Sequence, residues 1–292
     1  MEPVRLHPAC IRCLLEKQLA SFPDGIGVEE EIEYMQRVLR VIADAPKTAS
    51  APVLVHDIGR IQKEMFGYEP DYSAVKAHFN GVMLAKAEEI EERLRGAADP
   101  LKRAIQYAMT GNYIDFGAMQ KVEEEQLERL LERSQEIAVD PKEYEALRRE
   151  LLAGRNVVYL TDNCGEIVLD KLLMKEILRQ NPQARITAIV RGAPALNDAT
   201  VEDAQQVGLS QVARVIGNGS AIAGTCLDKI CRQAKDAIDA ADVILAKGQA
   251  NFETLRGCGK NVFYIFMCKC GLFSSRFQVP LFHGMLVHDK NS

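Results

Sequence analysis

The sequence predicts an α/β fold class, in which a Rossmann-like parallel-sheet domain with helices on both faces follows an all-helical domain. Two observations support this prediction. After Leu152, short apolar runs alternate with helical segments, and these runs lie at 156–160, 184–190, 212–216, 241–246 and 261–267. Such alternation is typical of a parallel sheet that is covered on both faces. Residues 1 to about 148 instead space their apolar side chains three and four apart, which indicates helices.

The change of periodicity predicts a domain boundary near 145–155. We therefore expect a mainly helical domain over 1–150 and an α/β domain over 151–292. The predicted helices lie at 29–44, 73–95 and 119–137 in the first half, and around 166–180, 199–207, 225–239 and 250–256 in the second. Proline- or glycine-containing stretches predict connections at 45–52, 67–72 and 96–100. The segment 274–287 is consistent with a last strand.

Composition excludes several classes of protein. The chain has 292 residues, of which 47% are hydrophobic, so it can bury a sizeable core. Its 36 Lys and Arg residues are outnumbered by 41 Asp and Glu residues, which argues against a nucleic-acid partner. No apolar run reaches the roughly 20 residues that span a bilayer, and the amino terminus lacks the apolar core of a secretory signal. We expect a soluble cytoplasmic protein with no membrane partner, and the sequence carries no indication of its oligomeric state.

Polar residues follow each predicted strand, at the edge of an open parallel sheet where ligands bind. In chain order, these residues are Asp162, Asn163 and Glu166, then Arg191 and Asp198, then Asn218, and finally Lys247 and Asn251. Because the carboxyl ends of parallel strands share one edge, we expect these side chains to form a cluster. That clustering is a stronger signal than any single motif within it.

The side chains of this edge predict an anion-handling site. Asp162, Asn163 and Asp198 supply oxygen ligands without a histidine, a set that suits Mg²⁺ or Mn²⁺ better than structural zinc. Lys247 on a glycine turn can neutralise a phosphate, and backbone N–H groups at the following helix N-termini can cradle it. With a metal that activates water, such a site hydrolyses phosphoesters.

Each of these residues also has a purely structural interpretation. Asn163 with Glu166 fits a capping box, as does Thr200 with Asp203, and Asp198 can be an N-cap. Lys247 taken alone reads as a surface lysine, and Asn218 between two glycines reads as a turn residue. Their occurrence at successive strand ends favours a site over these separate readings.

Four stretches resemble one known family, the metal-dependent damage-control phosphatases, first catalogued as family 89 of the domains of unknown function. The stretches are TDNCGEIVLDKLL (161–173), RGAPALNDATVEDA (191–204), ADVILAKGQANFETL (241–255) and GNYIDFG (111–117). The resemblance implies an α/β domain joined to a helical domain. It also implies a phosphatase of small phosphorylated metabolites, such as sugar phosphates or nucleotide-like compounds, that acts in metabolite damage control.

The resemblance assigns roles to residues of this chain. It implies that Asp162, Asn163 and Asp198 bind a divalent metal, which is Mn²⁺, Mg²⁺, Co²⁺ or Ni²⁺. Lys247 matches a lysine that contacts phosphate, and Asn251 lies close to it. The remaining matches are Glu166 as a catalytic residue, Arg191 at the substrate, and Asn112 and Asp115 as residues that close over the site. We also expect Asn218 at the substrate, because it follows the third predicted strand. We expect metal-activated water to attack phosphorus in line, with no phospho-enzyme on Asp162.

The cysteines form a second feature. Cys10 and Cys13 stand as a CxxC, and Cys268 and Cys270 flank Lys269. In a reducing compartment these residues are thiols. The pattern is similar to a prokaryotic branch of the same family that carries a CxxC and a late Lys-Cys. It implies a second metal or redox site built from Cys10, Cys13 and Cys270. The alternative is that the pair, at i and i+3 of a helix, packs in the core.

Other classes of function stay open at this point. A haloacid-dehalogenase-like phosphatase carries a second Asp two residues after the first, where this chain has Cys164. A Rossmann dehydrogenase or methyltransferase needs a glycine-rich first turn, and TDNCGE has a single glycine. The alternatives retained are a cysteine-based metal- or redox-binding protein and a carboxyl methyltransferase on the same fold.

Overall fold

The computed structural model describes residues 6–67, 69–117 and 122–291. Within these residues, the predicted parallel strands lie next to one another in a six-stranded mixed sheet. The strands are β1 (Asn156–Leu160), β2 (Arg185–Val190), β3 (Arg214–Gly217), β4 (Val243–Lys247), β5 (Val262–Met267) and β6 (Gly284–His288). Their order is β3-β2-β1-β4-β5-β6, and only the pairing of β5 with β6 is antiparallel among these described strands. The predicted α/β fold class is confirmed. The chain runs outward from β1 to β2 and β3 and then crosses back to β4 on the other side of β1, so the strand order reverses between β1 and β4 and creates a crevice at their carboxyl ends.

Seven helices precede the sheet in the described part of the chain. They are α1 (Pro8–Leu19), α2 (Val28–Asp44), α3 (Ala51–Phe66), α4 (Ser73–Arg95), α5 (Pro100–Gly111), α6 (Glu124–Glu132) and α7 (Pro141–Ala153). The predicted helices at 29–44 and 73–95 agree with α2 and α4. The predicted helix 119–137 is shorter than expected, since α6 ends at Glu132 and a 3₁₀ turn follows at Ser134–Glu136. Residues 119–121 lie outside the described residues.

Five helices connect the strands. They are α8 (Glu166–Gln180), α9 (Val201–Gln206), α10 (Arg232–Asp239), α11 (Gly248–Leu255) and α12 (Gly271–Phe277). The predicted helix at 225–239 is wrong in its first half, because 218–231 forms a long loop before α10. The prediction for 274–287 missed α12. Phe273 and Phe277, one helical turn apart, pack their rings against Phe252 of α11, which explains why this segment is helical.

Alternate side chains of the strands enter two separate cores. Val157 and Leu245 join Leu101 and Ile105 of α5 on one face of the sheet. Val158 and its same-face neighbours join Phe252 and the aromatic residues of α12 on the other. Helices of the first half therefore cover one face of the sheet directly. The division into domains at 1–150 and 151–292 stays a prediction.

The first three helices pack around a cluster of their own. Tyr34, Val38 and Ile58 are among its buried members, and α3 also packs against α11. Across the described ranges, no helix combines the length and the apolar character that a bilayer crossing needs.

Candidate active site

The loops that follow β1 and β2 are hydrogen-bonded to each other, and this pairing assembles the predicted metal ligands. Ala199 N donates to the carbonyl of Asp162 over 2.7 Å, and Cys164 N donates to the carbonyl of Asn197 over 2.9 Å. Between these bonds, Asn163 and Asp198 form an isolated antiparallel bridge. The structure therefore brings Asp162, Asn163 and Asp198 together at the carboxyl edge of the sheet.

A single buried guanidinium links the two aspartates. Arg191, which is 1% exposed, donates from Nε to Asp198 Oδ2 over 2.6 Å, and its Nη2 lies 3.8 Å from Asp162 Oδ1. Nη2 also donates to the carbonyl of Thr161 at the end of β1. The N-cap interpretation of Asp198 is wrong, because Thr200 is the N-cap of α9, and Asp198 instead pairs with the cation that also faces Asp162.

Two amide side chains separate Asp162 from Glu166. Asn112 Nδ2 lies 3.0 Å from Asp162 Oδ2 and 3.0–3.1 Å from the Glu166 carboxylate. Asn163 Nδ2 makes the equivalent bonds, at 2.7 Å to Asp162 and 3.0 Å to Glu166. The Asn112 side-chain oxygen accepts from Met267 N, which fixes the end of α5 against β5. The helical motif around Asn112 therefore enters the site, as the resemblance implies.

The capping-box interpretations have different outcomes. Thr200 and Asp203 form the predicted capping box at the start of α9. Glu166 does accept from Asn163 N over 3.2 Å, but the Asn163 side chain donates to Asp162 and Glu166 instead of capping α8. Asn163 therefore belongs to the cluster of polar side chains.

Lys247 is fully buried, so its interpretation as a surface lysine is wrong. Its ammonium donates to Glu166, to Asp170 Oδ1 over 2.8 Å and to the carbonyl of Ala108 over 3.0 Å. These three acceptors match the three N–H donors of a lysine. The Tyr159 hydroxyl donates to the same Asp170 oxygen over 2.7 Å. A contact between Lys247 and phosphate stays a prediction, and the ammonium faces carboxylates in this structure.

Sequence reasoning missed Asp170 and Tyr159. The available signal was the spacing of Asp170, four residues after Glu166 on α8, which places two carboxylates on one face of an otherwise apolar helix. Tyr159 lies inside an apolar strand, where nothing in the sequence distinguishes its hydroxyl from a core aromatic side chain. Both residues are buried beneath the site.

Replacing Lys247 by methionine is expected to reduce the free energy of unfolding by about 3–5 kcal/mol, because it leaves Glu166 and Asp170 buried without their cation. Urea denaturation measures this change. Lys260→Met is the matched control, since Lys260 pairs with Asp239 at the partly exposed surface, and its loss is expected to stay below about 1 kcal/mol. Equal stability losses in the two variants would contradict the internal ion pair.

Asn251 and Asn218 hold the surrounding loops. Asn251 Nδ2 donates to the carbonyls of Thr161 and Lys247 over 3.1 and 2.7 Å, and its Oδ1 accepts from Thr225. Asn218 Oδ1 accepts from the backbone N–H groups of residues 192 and 220, over 2.8 and 2.9 Å. The turn interpretation of Asn218 is therefore correct for its oxygen. Whether either residue contacts substrate stays a prediction.

The cluster carries an excess of negative charge. Its carboxylates are Asp115, Asp162, Glu166, Asp170 and Asp198, and its cations are Arg191, Lys247 and Lys269. Burial raises the pKa of Asp162 well above its usual value, and the charges of Asp198, Glu166 and Asp115 raise it further. Burial likewise raises the pKa of Asp198 to about 6, against the opposing charge of Arg191.

This electrostatic imbalance fits a divalent cation, which would balance two carboxylates at once. In the described part of the chain, however, no three His, Cys, Asp or Glu side chains already stand at metal-binding spacing. The predicted ligand set includes the amide Asn163, and Arg191 occupies one oxygen of Asp198. The oxygen atoms of these side chains are of the type that binds a divalent metal. In this structure, Asn163 is hydrogen-bonded to Asp162, and Asp198 is paired with Arg191.

Asp115 and Lys269 lie at the margin of the site and pair with each other over 2.5 Å. The backbone N–H of Lys269 donates to Gln249 Oε1 over 2.7 Å, and Gln249 Nε2 lies 3.6 Å from Cys270 Sγ. The Lys-Cys segment is therefore continuous with the site. A role for Asp115 in closing over the site stays a prediction.

The CxxC thiols differ in their surroundings from the carboxyl-terminal thiols. Burial raises the pKa of the Cys10 thiol, and the charges of Glu253, Cys270 and Cys13 raise it further. Cys268 is buried in the core formed with α11 and α12, whereas Cys13 is exposed. A metal or redox role for Cys10, Cys13 and Cys270 stays a prediction.

Comparison with known proteins identifies the family. Residues 6–282 match the family model described as the damage-control phosphatase ARMT1-like domain. A damage-control phosphatase of Archaeoglobus fulgidus is 34% identical over 276 residues, which cover 91% of this chain and 93% of that protein. A damage-control phosphatase of Pyrococcus horikoshii is 35% identical over 212 residues, covering 69% and 71% of the two chains.

The fold agrees with these relatives. The crystal structure of a DUF89 family protein from Pyrococcus horikoshii superposes with a TM-score of 0.77 at 25% identity, over 98% of this chain and 99% of that one. The sequence match spans both the helical half and the sheet that holds Asp162, Arg191 and Lys247. The chain therefore belongs to the damage-control phosphatase ARMT1-like family.

Proposed function

We propose that this phosphatase depends on a divalent metal and hydrolyses phosphomonoesters of small metabolites, such as sugar phosphates or nucleotides. Phosphatases of its family act on small phosphorylated metabolites and generally use a divalent metal. The observation that carries the proposal is the meeting of Asp162 and Asp198 at one buried guanidinium, with the pKa of each carboxyl raised. Two carboxylates held this close favour a shared cation.

Asp162, Asn163 and Asp198 are the residues that would hold the metal. When bound, Mn²⁺, Mg²⁺, Co²⁺ or Ni²⁺ would polarise a phosphoryl oxygen and lower the pKa of an attacking water. The choice among these ions and the cytoplasmic location stay predictions. Oxygen ligands without a histidine favour the harder ions of this group.

The chain's own side chains position and neutralise the reacting groups. Arg191 fixes Asp198 through a 2.6 Å charge-assisted hydrogen bond. The orientation of this buried carboxylate is therefore set by the protein and not by water. Lys247, held by Asp170 and the carbonyl of Ala108, fixes Glu166 in the same way. Glu166 in turn accepts from Asn112 and Asn163, so its carboxylate is placed beside Asp162. We propose that Lys247 acts on catalysis through Glu166.

Burial of the cluster is a second contribution to the proposed catalysis. Asp162, Asn163 and Asp198 are each no more than 4% exposed. Electrostatic interactions are stronger where water is excluded, and fixed dipoles need no reorganisation during the reaction. The neighbouring segments 112–117 and 193–197 contribute to this enclosure through the hydrogen bonds of Asn197 with Ile114 and Phe116.

The test is a phosphatase screen of sugar phosphates and nucleotides with Mn²⁺, Mg²⁺, Co²⁺, Ni²⁺ or a chelator, read as released phosphate. We expect hydrolysis with at least one metal, loss of activity with chelator, and recovery when the metal is restored. Full activity in chelator would contradict metal dependence. Absence of hydrolysis with every metal and substrate would contradict the substrate class.

The thiols offer a separate proposal, which the same protein sample tests. The thiols of Cys10, Cys13 and Cys270 are soft ligands that favour zinc over manganese, although within the described ranges they do not stand at metal-binding spacing. We propose that these residues form a thiol site apart from the phosphatase centre. Metal analysis of the wild type and Cys10→Ser should show thiol-dependent zinc. Equal zinc in both proteins would contradict the thiol site, and core packing of the pair is already excluded because Cys13 is exposed.

A further inference from the structure

Two buried donors at the carboxyl edge of the sheet have no hydrogen-bond partner. They are Nη1 of Arg191, a residue 1% exposed, and Nδ2 of Asn218, a residue that is 0% exposed. Buried polar atoms almost always have a partner, because an unpaired donor keeps the full cost of its desolvation. Two such donors at the site therefore indicate an acceptor group that binds there.

The rest of each side chain is held in place. Arg191 is fixed by Asp198 and by the carbonyl of Thr161. The Asn218 oxygen accepts from the backbone of residues 192 and 220. The turn interpretation of Asn218 explains its oxygen and leaves its N–H₂ group without a role. Both unpaired donors are thus preorganised, which is what a binding group requires.

The backbone at Gly192, next to Arg191, packs directly against the backbone at Gly219, next to Asn218. A Cβ atom added at Gly192 would stand 2.1 Å from the backbone nitrogen of Gly219. Gly192 follows Arg191 and Gly219 follows Asn218, so this close approach sets the two donor residues on adjacent loops. The contact needs glycine at residue 192, since no side chain fits between the loops.

The long loop 219–230 covers this region. It starts after β3 and is fastened to α11, where Thr225 donates from Oγ1 to Asn251 Oδ1 and from N to Thr254 Oγ1, both over 2.8 Å. In the sheet order, β2 and β1 lie between β3 and β4, the strand that leads into α11. The loop therefore passes from β3 to α11 along the carboxyl edge of the sheet, the edge at which Arg191 follows β2.

We infer that Arg191 Nη1 and Asn218 Nδ2 form the subsite for the phosphoryl oxygens, closed by the loop 219–230. This inference rests on the proposed function and refines it. The Lys247 ammonium already has three acceptors, whereas these two donors have none. A phosphoryl oxygen supplies the acceptors that both donors lack, and the guanidinium adds the charge that an anion needs.

The test replaces Asn218 by aspartate. This change keeps an oxygen for the two backbone donors and turns the unpaired N–H₂ group into an acceptor that repels phosphate. Calorimetric titration of the Mn²⁺-supplemented protein with inorganic phosphate should show a Kd at least about tenfold higher, the size expected for a lost hydrogen bond to a charged group. KM for a hydrolysed phosphomonoester should rise similarly, while the affinity for Mn²⁺ stays at the wild-type value.

Asn156→Asp is the matched control, because it makes the same change of charge at the exposed amino end of β1. Its phosphate affinity should equal that of the wild type. If Asn218→Asp does not fold, Asn218→Ser keeps a short acceptor for the turn, removes the amide donor and should show the same loss. Phosphate binding at wild-type strength in a folded Asn218 variant would overturn the inference.

The outcomes separate the inference from the proposed function. If the wild type binds phosphate, Asn218→Asp loses that binding, and no substrate is hydrolysed, the subsite stands and the proposed function fails. If the wild type hydrolyses phosphomonoesters and Asn218→Asp keeps wild-type KM and phosphate affinity, the function stands and the subsite is wrong.

Discussion

Replacing Asp162 by asparagine is expected to lower kcat/KM on the order of 10²–10³-fold or more, the loss associated with removal of one preorganised group. Asp162 lies at the centre of the cluster, where it contacts Asn112, Asn163 and Arg191. The substitution keeps the shape of the side chain and removes one negative charge from the proposed metal site. We expect weaker Mn²⁺ binding together with slower turnover, measured by titration calorimetry and by phosphate release at saturating metal.

Asp44→Asn provides the control, since Asp44 is exposed at the end of α2 and should change neither quantity. Wild-type metal binding and turnover in Asp162→Asn would remove Asp162 from the mechanism. A rival mechanism makes Asp162 the nucleophile. Trapping a covalent phosphoryl group on Asp162 would favour that rival over an attack by water.

Gly248→Ala is expected to cause a comparable loss of activity, although residue 248 carries no reactive group. A Cβ atom at this position would stand 2.0 Å from Asp162 Oδ2, so alanine must displace the carboxylate or the start of α11. Residue 248 also has φ +79, a conformation that favours glycine. We expect Mn²⁺ affinity and kcat/KM to fall together, on the order of 10²-fold in kcat/KM, as for a displaced preorganised group.

Gly259→Ala separates the contact from the backbone strain. Gly259 has φ +76, close to that of Gly248, but nothing lies within 4 Å of an added Cβ atom. Both variants carry the cost of a left-handed alanine, about 1–2 kcal/mol. Only Gly248→Ala should lose metal binding. Equal metal affinity and activity in the two variants would show that residue 248 does not position Asp162.

The strands of the sheet were predictable from the sequence because their apolar runs are nearly continuous. β1 begins and ends where its run does, at Asn156 and Leu160, and buried parallel strands permit few polar side chains. The gathering of Asp162 and Asp198 followed from the same reasoning, since parallel strands share a carboxyl edge. The helix α12 was missed because its apolar spacing covers only two turns, too short for periodicity to distinguish it from a strand.

The direction of the Lys247 side chain could not be predicted. Lys247 is the last residue of β4, and an alternating strand can send that side chain toward either face. Its acceptors come from α8 and α5, residues far from it in the chain. Tyr159 escaped notice for the same reason, whereas the spacing of Asp170 from Glu166 on α8 was a signal that the sequence did offer. A buried ion pair is recognised only when both partners are known, and sequence spacing does not relate elements that meet through tertiary packing.

The separate core of α1–α3 has a consequence for how the chain comes apart. Its buried side chains contact one another around Tyr34 and Ile58, whereas the helices α4, α5 and α7 share their core with the sheet. Opening of the first three helices separates α3 from α11 but leaves the strands packed on their other helices, so it costs less free energy than global unfolding. The backbone amide hydrogens of α1–α3 should exchange with solvent through this partial opening. Those of β1 and β4 should exchange more slowly, because their exchange requires unfolding of the whole sheet.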